Sequence, residues 1–132
     1  MITNIYKMYF QLIIYAIVAN GLFEFLASAS LLQFIDIPDV RDYYLSVFQG
    51  AQSPIFERVL GYYSFLNGLI RVFGGMNLYQ QTAANIVALS YFSQAAFLAS
   101  EQFTHKSLNK SHAQYAMGFC IIFGALSLYN YF

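Results

Sequence analysis

Charged side chains are scarce in this chain, and their scarcity excludes most classes of water-soluble protein. Asp, Glu, Lys and Arg together make up only 9% of its 132 residues, whereas a soluble domain carries about 25%. Hydrophobic residues make up 59%, and the mean hydropathy is +0.52. A chain of this composition cannot cover a water-facing surface with polar groups. We therefore expect an integral membrane protein with a single membrane domain, residues 1–132.

Cysteine is nearly absent, and no charge of either sign is in excess. The single cysteine, Cys120, excludes an internal disulfide and a cysteine-based metal cluster. Because six basic residues balance six acidic ones, the chain lacks the basic field that attracts nucleic acid. His105 and His112 are not at a standard spacing for metal ligands, and no nucleophile-and-base pattern emerges. We expect no enzyme activity, no metal ion, no cofactor and no nucleic-acid partner.

Long apolar segments are what the chain has in place of charge. Each of four segments is long enough to cross a bilayer as a helix. The first, which contains Glu24, is too long for the apolar core of a signal peptide. The approximate bounds of the four are 9–34, 55–76, 79–101 and 113–131. They predict an all-α fold, a four-helix transmembrane bundle with both chain termini on the same side of the membrane.

The stretch between the first two segments, residues 35–57, holds most of the acidic side chains. Pro38 followed by Asp39 is typical of a helix start, and Gly50 would stop such a helix. The residues between them are largely apolar. This pattern predicts a short helix that lies at the membrane surface between spans 1 and 2.

Small residues and arginines recur at steps of three or four in the second segment, which places them on one face of a helix. The stripe comprises Arg58, Gly61, Ser64, Gly68, Arg71 and Gly75. Small residues allow a neighbouring helix to approach closely, and arginines in a membrane bundle have to face protein, water or lipid headgroups. We therefore expect this face to pack inside the bundle.

Ionised groups inside the segments need partners, because an unpaired charge at membrane depth is costly. Glu101 and Arg58 lie at the same level of their segments, so we expect them to form an ion pair. Glu24 lies deeper, one helical turn after Asn20, and we expect it to use an arginine or a polar partner such as Asn67. Buried polar residues of this kind join helices more often than they form a transport path.

The second segment also carries a resemblance to a known family. The residues that match the Arg-x-x-Gly-x-Trp…Arg pattern of the ergosterol biosynthetic protein 28 family are Arg58, Gly61, Tyr63 and Arg71, with tyrosine in place of the family's tryptophan. Residues 97–101, Phe-Leu-Ala-Ser-Glu, resemble that family's Phe-Leu-x-Ser-Glu, and Asn20-Gly21 is similar to its Gly-Asn. The resemblance covers the first segment and residues 58–101.

This resemblance implies a four-helix membrane protein without catalytic activity of its own. Members of the family sit in the endoplasmic reticulum membrane and hold the sterol-demethylation enzymes together. The residues that we expect to hold the bundle or to contact its partners are Asn20, Glu24, Arg58, Gly61, Tyr63, Gly68, Arg71, Gln94 and Glu101.

An alternative use of the same fold stays open, as a supernumerary subunit of a mitochondrial respiratory-chain complex. A small four-span bundle has mostly lateral apolar surface, so in either case its partners are other integral membrane proteins of a large complex, together with lipid. A sterol and an anionic lipid are the candidate lipids. Because the C-terminus carries no endoplasmic-reticulum retrieval signal, we expect the mitochondrial inner membrane slightly more than the endoplasmic reticulum.

Overall fold

The fold is all-helical in the part of the chain that the computed structural model describes, residues 2–50 and 52–131. The helices are α1 (Ile2–Leu31), α2 (Pro38–Leu45), α3 (Pro54–Met76), α4 (Gln81–Ser100) and α5 (Lys110–Ser127). A π-helical turn, Glu101–His105, continues α4, and a short 3₁₀ turn, Tyr129–Tyr131, follows α5. These residues contain no β-strand, so the expected all-α class is confirmed.

Local sequence sets where α2 and α3 begin. Each starts at a proline, whose fixed φ suits the first turn and whose missing N–H is not needed there. Before α3, the Ser53 side chain accepts a hydrogen bond from the backbone N–H of Phe56 at 3.2 Å, which satisfies one of the unpaired donors of the first turn. α2 starts at Pro38 as predicted, but it ends at Leu45, and Gly50 lies in the following loop with a φ of +74°.

The four long helices pack in chain order, each antiparallel to the one before it. α1 packs along α3, α3 along α4, and α4 along α5. α1 also meets α5 near the ends of the chain. There Tyr6 stacks on Tyr129 of the 3₁₀ turn that follows α5, with ring centroids 5.3 Å apart. Phe10 and Phe123 pack against the same buried cluster there. Towards the opposite end of the bundle, a cavity separates the two helices.

The close approach of α1 to α3 depends on glycine. A Cβ atom at Gly68 would lie 3.0 Å from the backbone oxygen of Gly21, and a Cβ atom at Gly21 would lie 2.8 Å from the backbone nitrogen of Val72. Gly61 and Gly75 also face side chains of α1 at short distance. The small residues of the predicted stripe therefore form the face of α3 that packs against α1.

The bundle buries many polar groups beside its apolar core, and it leaves large apolar side chains exposed. The buried polar residues are Glu24, Ser28, Ser30, Glu57, Ser64, Asn67, Arg71, Ser90 and Ser127. Large hydrophobic side chains are exposed on every long helix, among them Leu12, Leu22, Val59, Leu66, Ile86, Leu89, Ile121 and Ile122. An exterior of this kind suits lipid rather than water.

Two helical segments in the described residues, Ile2–Leu31 and Gln81–His105, are long and apolar enough to cross a membrane by length and composition. The sequence had predicted four spans. α3 falls short in composition because it carries Asn67 and two arginines, and α5, with 18 residues, falls short in composition because it begins with Lys110, Ser111 and His112.

Candidate functional site

The candidate site is centred on Arg71, whose side chain lies inside the bundle with 1% of the residue exposed. From α3, the guanidinium of Arg71 extends between α1 and α4. From Nη1, Arg71 donates to Asn20 Oδ1 and Glu24 Oε1, each at 3.0 Å. On α4, Nη2 donates to Gln94 Oε1 at 2.6 Å, and Nε donates to Ser90 Oγ at 3.4 Å. One buried cation therefore joins three helices.

The carboxylate of Glu24 balances this charge. Glu24 is 3% exposed, and its Oε2 accepts a hydrogen bond from the Tyr44 hydroxyl at 2.9 Å. Burial, and after it the neighbouring carboxylate, raise the pKa of the Tyr44 phenol well above its usual value, so the phenol keeps its proton and donates. A buried charge pair is tolerated when its remaining hydrogen-bonding groups are satisfied. Tyr44 supplies that bond and ties α2 to the network.

Tyr91 closes the network on α4. The Cζ atom of Arg71 lies 3.9 Å from the centroid of the Tyr91 ring, within range of a cation–π interaction. The Tyr91 hydroxyl donates to Asn20 Oδ1 at 2.8 Å. Asn20 Oδ1 therefore accepts two hydrogen bonds, one from the guanidinium and one from the phenol.

The orientation of the two amides, Asn20 and Gln94, follows from this chemistry. A guanidinium has donors and no acceptor, so each amide has to turn its oxygen towards Arg71. The amide nitrogens then point away from the cation. Among the described residues, neither nitrogen donates to a protein acceptor.

A cavity of about 980 Å³ opens beside this network, between α1 and α5 and against α2. Its polar floor is formed by Asn20, Glu24, Arg71 and Gln94. Its walls are mostly apolar and aromatic, and they include Phe23, Tyr43, Val47, Leu60, Tyr63, Phe97, Tyr115, Phe119 and Cys120. A large, mostly apolar cavity with a few polar groups gathered in one place has the form of a ligand pocket.

Chemically, the arrangement offers apolar contact and hydrogen bonds. Arg71 and Glu24 neutralise each other at the floor, so the pocket presents no unbalanced charge there. In the described part of the chain, no three His, Cys, Asp or Glu side chains lie close enough together to hold a metal ion.

Four of the residues selected from the sequence meet at this site, namely Asn20, Glu24, Arg71 and Gln94. We predicted that Glu24 pairs with an arginine or with a polar residue such as Asn67. This prediction is confirmed, because Arg71 is its partner at 3.0 Å. Tyr63 lies in the wall of the cavity.

The predicted ion pair between Arg58 and Glu101 is wrong. Arg58 is exposed, and Glu101 accepts a hydrogen bond from a serine hydroxyl in the loop before α5. Steps of three or four residues drift around a helix, and at about 100° per residue Arg58 lies roughly 140° away from Arg71. Glu57 is the residue that faces inward in the first turn of α3, and it pairs with Arg41 of α2 at 2.7 Å.

Sequence reasoning missed Tyr44, Tyr91 and the ion pair of α2 with α3. A signal for Tyr91 existed, because it lies three residues before Gln94 and this spacing places both side chains on one face of a helix. Tyr44 gave no such signal, since the sequence does not determine which face of α2 packs against the bundle.

Comparison with known proteins identifies a family. The model of the family described as Erg28 like protein matches residues 2–129 of the chain, a range that includes all five α-helices. The resemblance to the ergosterol biosynthetic protein 28 family is therefore confirmed, and it extends beyond the first segment and residues 58–101. No curated protein and no solved structure matches the chain.

Proposed function

We propose, because the chain belongs to the Erg28-like protein family, that it is a non-catalytic scaffold of the endoplasmic reticulum membrane that acts in sterol biosynthesis. In this role it catalyses no reaction itself and holds other membrane proteins together, namely the sterol-demethylation enzymes. The observation that carries the proposal is the family match over residues 2–129.

The scaffold crosses the bilayer four times as a single membrane domain, with α2 at the surface and both termini on one side. A helical span needs roughly 20 residues. α1 and α3 contain 30 and 23 residues, α4 with its π-helical turn 25, and α5 18. Support for four spans comes from the apolar exterior of α3 and α5, whose exposed residues include Val59, Leu66, Ile121 and Ile122.

Partner proteins contact the lateral surface of the bundle. Aromatic side chains are exposed on α3 at Tyr62 and Phe73 and on α5 at Tyr115. In a membrane, association between helices relies on packing of such side chains against other spans. Because Arg71 and Glu24 pair inside the bundle, these two charges do not face lipid, and the exposed Arg58 lies in the first turns of α3.

The polar network itself acts as structural glue. Arg71 is held by acceptors from both α1 and α4, an arrangement that fixes helices rather than one that passes an ion along a path. The expected lean towards the mitochondrial inner membrane has no support from the family match, which favours the endoplasmic reticulum.

Purification of the tagged full chain in mild detergent, followed by identification of the co-purifying proteins by mass spectrometry, tests the proposal. We expect the sterol-demethylation enzymes to be enriched over a control purification of an unrelated multi-span protein of the same membrane with the same tag. Enrichment of respiratory-chain subunits, or no enrichment of sterol enzymes above that control, would show the proposal to be wrong.

A further inference from the structure

We propose that the cavity between α1 and α5 binds an uncharged amphipathic lipid whose head group carries a carbonyl or hydroxyl oxygen. The oxygen accepts hydrogen bonds from the amide nitrogens of Asn20 and Gln94 at the floor, and the apolar body lies against the aromatic walls.

The charge of the head group follows from the ion pair at the floor. Arg71 and Glu24 lie 3.0 Å apart and are almost fully buried. At the floor neither charge is left over to balance an ion, and an ionised head group there would lose its hydration without gaining a counter-charge. Asp39 on α2 and His112 on α5 also line the cavity, but both are exposed to solvent and neither belongs to the buried floor. An uncharged head group avoids that cost.

The polarity of the head group follows from the amides. The oxygens of Asn20 and Gln94 are both used by Arg71. What each amide has left for a ligand is its N–H₂ group, which only donates. Two donors at the floor of an apolar pocket select a head group that accepts hydrogen bonds.

The size and closure of the cavity favour a lipid molecule over the helix of a partner protein. Its volume of about 980 Å³ lies at the upper end of the range of roughly 300–1,000 Å³ found for small-molecule pockets. A partner helix needs a groove that runs the length of the bundle, but one end of the groove is closed where Tyr6 of α1 stacks on Tyr129, just after α5. At the other end, α2 contributes Val40, Tyr43 and Tyr44 to the lining.

We place the mouth of the cavity where its lining is most exposed, between α2 and α5. Two lining residues near the mouth, Tyr43 on α2 and Tyr115 on α5, are 69% and 80% exposed. Tyr115 lies roughly 8 Å along α5 from its first residue, at 1.5 Å per residue. This is the level at which tyrosines line the membrane–water interface, so the head group enters without crossing the apolar core of the bilayer.

A series of probes that share one hydrocarbon chain tests the head-group preference. The probes are methyl palmitate, palmitate, hexadecylamine and hexadecane, each titrated into the detergent-solubilised full chain and counted as bound ligand by native mass spectrometry. We expect methyl palmitate to bind about tenfold more tightly than hexadecane, since hydrogen bonding to the ester carbonyl adds about that factor, and both ions to bind more weakly than methyl palmitate. Equal binding of all four probes, or a preference for palmitate, would overturn the proposal.

Variants of the cavity locate the binding. Gln94→Met removes one of the two amide donors, and we expect it to reduce the binding of methyl palmitate about threefold, to a level between those of methyl palmitate and hexadecane in the wild type. Gln81→Met is the matched control, because Gln81 is exposed at the start of α4 and does not line the cavity. Its binding should equal that of the wild type.

Ala116→Phe is a second variant that leaves the polar network intact. Ala116 lines the cavity wall on α5, so a phenylalanine there narrows the pocket, and we expect every probe to bind more weakly. If an Ala116→Phe protein with wild-type helicity and melting temperature binds methyl palmitate as the wild type does, the cavity is not the binding site.

Discussion

Replacing Arg71 by leucine while Glu24 stays in place should be among the most damaging single substitutions in this chain. The two charges lie 3.0 Å apart, and their side chains are 1% and 5% exposed. At an effective dielectric constant of about 20, charges at this distance attract each other by roughly 5 kcal/mol. Removing one partner of a buried pair costs about 3–5 kcal/mol, because the other charge is left desolvated. We expect Arg71→Leu to lower the free energy of unfolding by that amount.

A double-mutant cycle separates the pair from the packing of its side chains. We expect the double variant Glu24→Leu, Arg71→Leu to lose less stability than Arg71→Leu alone, because no uncompensated charge remains inside. The measurement is the free energy of unfolding by titration with dodecyl sulfate in mixed micelles, followed by circular dichroism. If the losses of the two single variants simply add up in the double variant, the two charges are not coupled and the reasoning fails.

The ion pair between Arg41 and Glu57 is the control for this prediction. Arg41 and Glu57 are as close, at 2.7 Å, but the side chain of Arg41 is 39% exposed. Glu57→Gln leaves the partly exposed Arg41 accessible to water, so we expect it to lower the free energy of unfolding by about 0–1 kcal/mol, as for a pair near the surface. A loss as large as that of Arg71→Leu would mean that burial is not what makes the Glu24 pair costly to break.

Further predictions concern the glycine contact and Tyr44. Gly68→Ala should lower the free energy of unfolding by about 1–3 kcal/mol, because its Cβ would lie 3.0 Å from a backbone oxygen of α1. At Gly118 an added Cβ would have no neighbouring atom within 4 Å, so Gly118→Ala should raise the free energy of unfolding by up to about 1 kcal/mol through helix propensity. Equal effects of the two substitutions would contradict the packing argument. Tyr44→Phe should lose about 1–3 kcal/mol by leaving a buried acceptor unpaired, and Tyr43→Phe, at an exposed position, should lose nothing measurable. Because the pKa of Tyr44 is raised in the folded state, its contribution is complete below the unfolded pKa of about 10 and is lost as pH rises above it. The free energy of unfolding, measured by chemical denaturation at increasing alkaline pH, should therefore fall more steeply for the wild type than for Tyr44→Phe.

Much of the fold could be predicted because the helices of a membrane bundle follow from simple sequence patterns. The lengths of the apolar segments predicted the long helices, and Pro38 followed by Asp39 predicted the start of α2. The spacing of Gly61, Gly68 and Gly75 gave the face that α3 turns to α1. Helix ends were less predictable, since the π-helical turn after α4 ends with Lys106 in a left-handed conformation that its sequence does not signal.

Part of the candidate site could be predicted from the positions of its residues along the helices. Asn20 and Glu24 are one helical turn apart and therefore lie on the same face of α1. Because an unpaired charge inside the bundle is costly, Arg71 was expected to contact acceptors such as these. The error at Arg58 came from treating steps of three and four as equivalent over many turns, although the angular error accumulates with each step. Packing of α2 on the bundle is a tertiary contact with no periodic signature, which is why neither Tyr44 nor Arg41 was assigned a role.

The hydrogen-bond network around Arg71 stabilises the bundle and also determines the chemistry of the cavity beside it. A buried guanidinium needs oxygen acceptors, and Asn20 and Gln94 provide them from opposite sides of Arg71. Because each amide has one oxygen and one nitrogen, satisfying the cation fixes which atom is left for the pocket. A carboxylate at either position would hold Arg71 equally well, yet it would offer a ligand only acceptors and add negative charge. Amides at these two positions therefore keep the floor uncharged and leave it a donor, which is the property that the probe series measures.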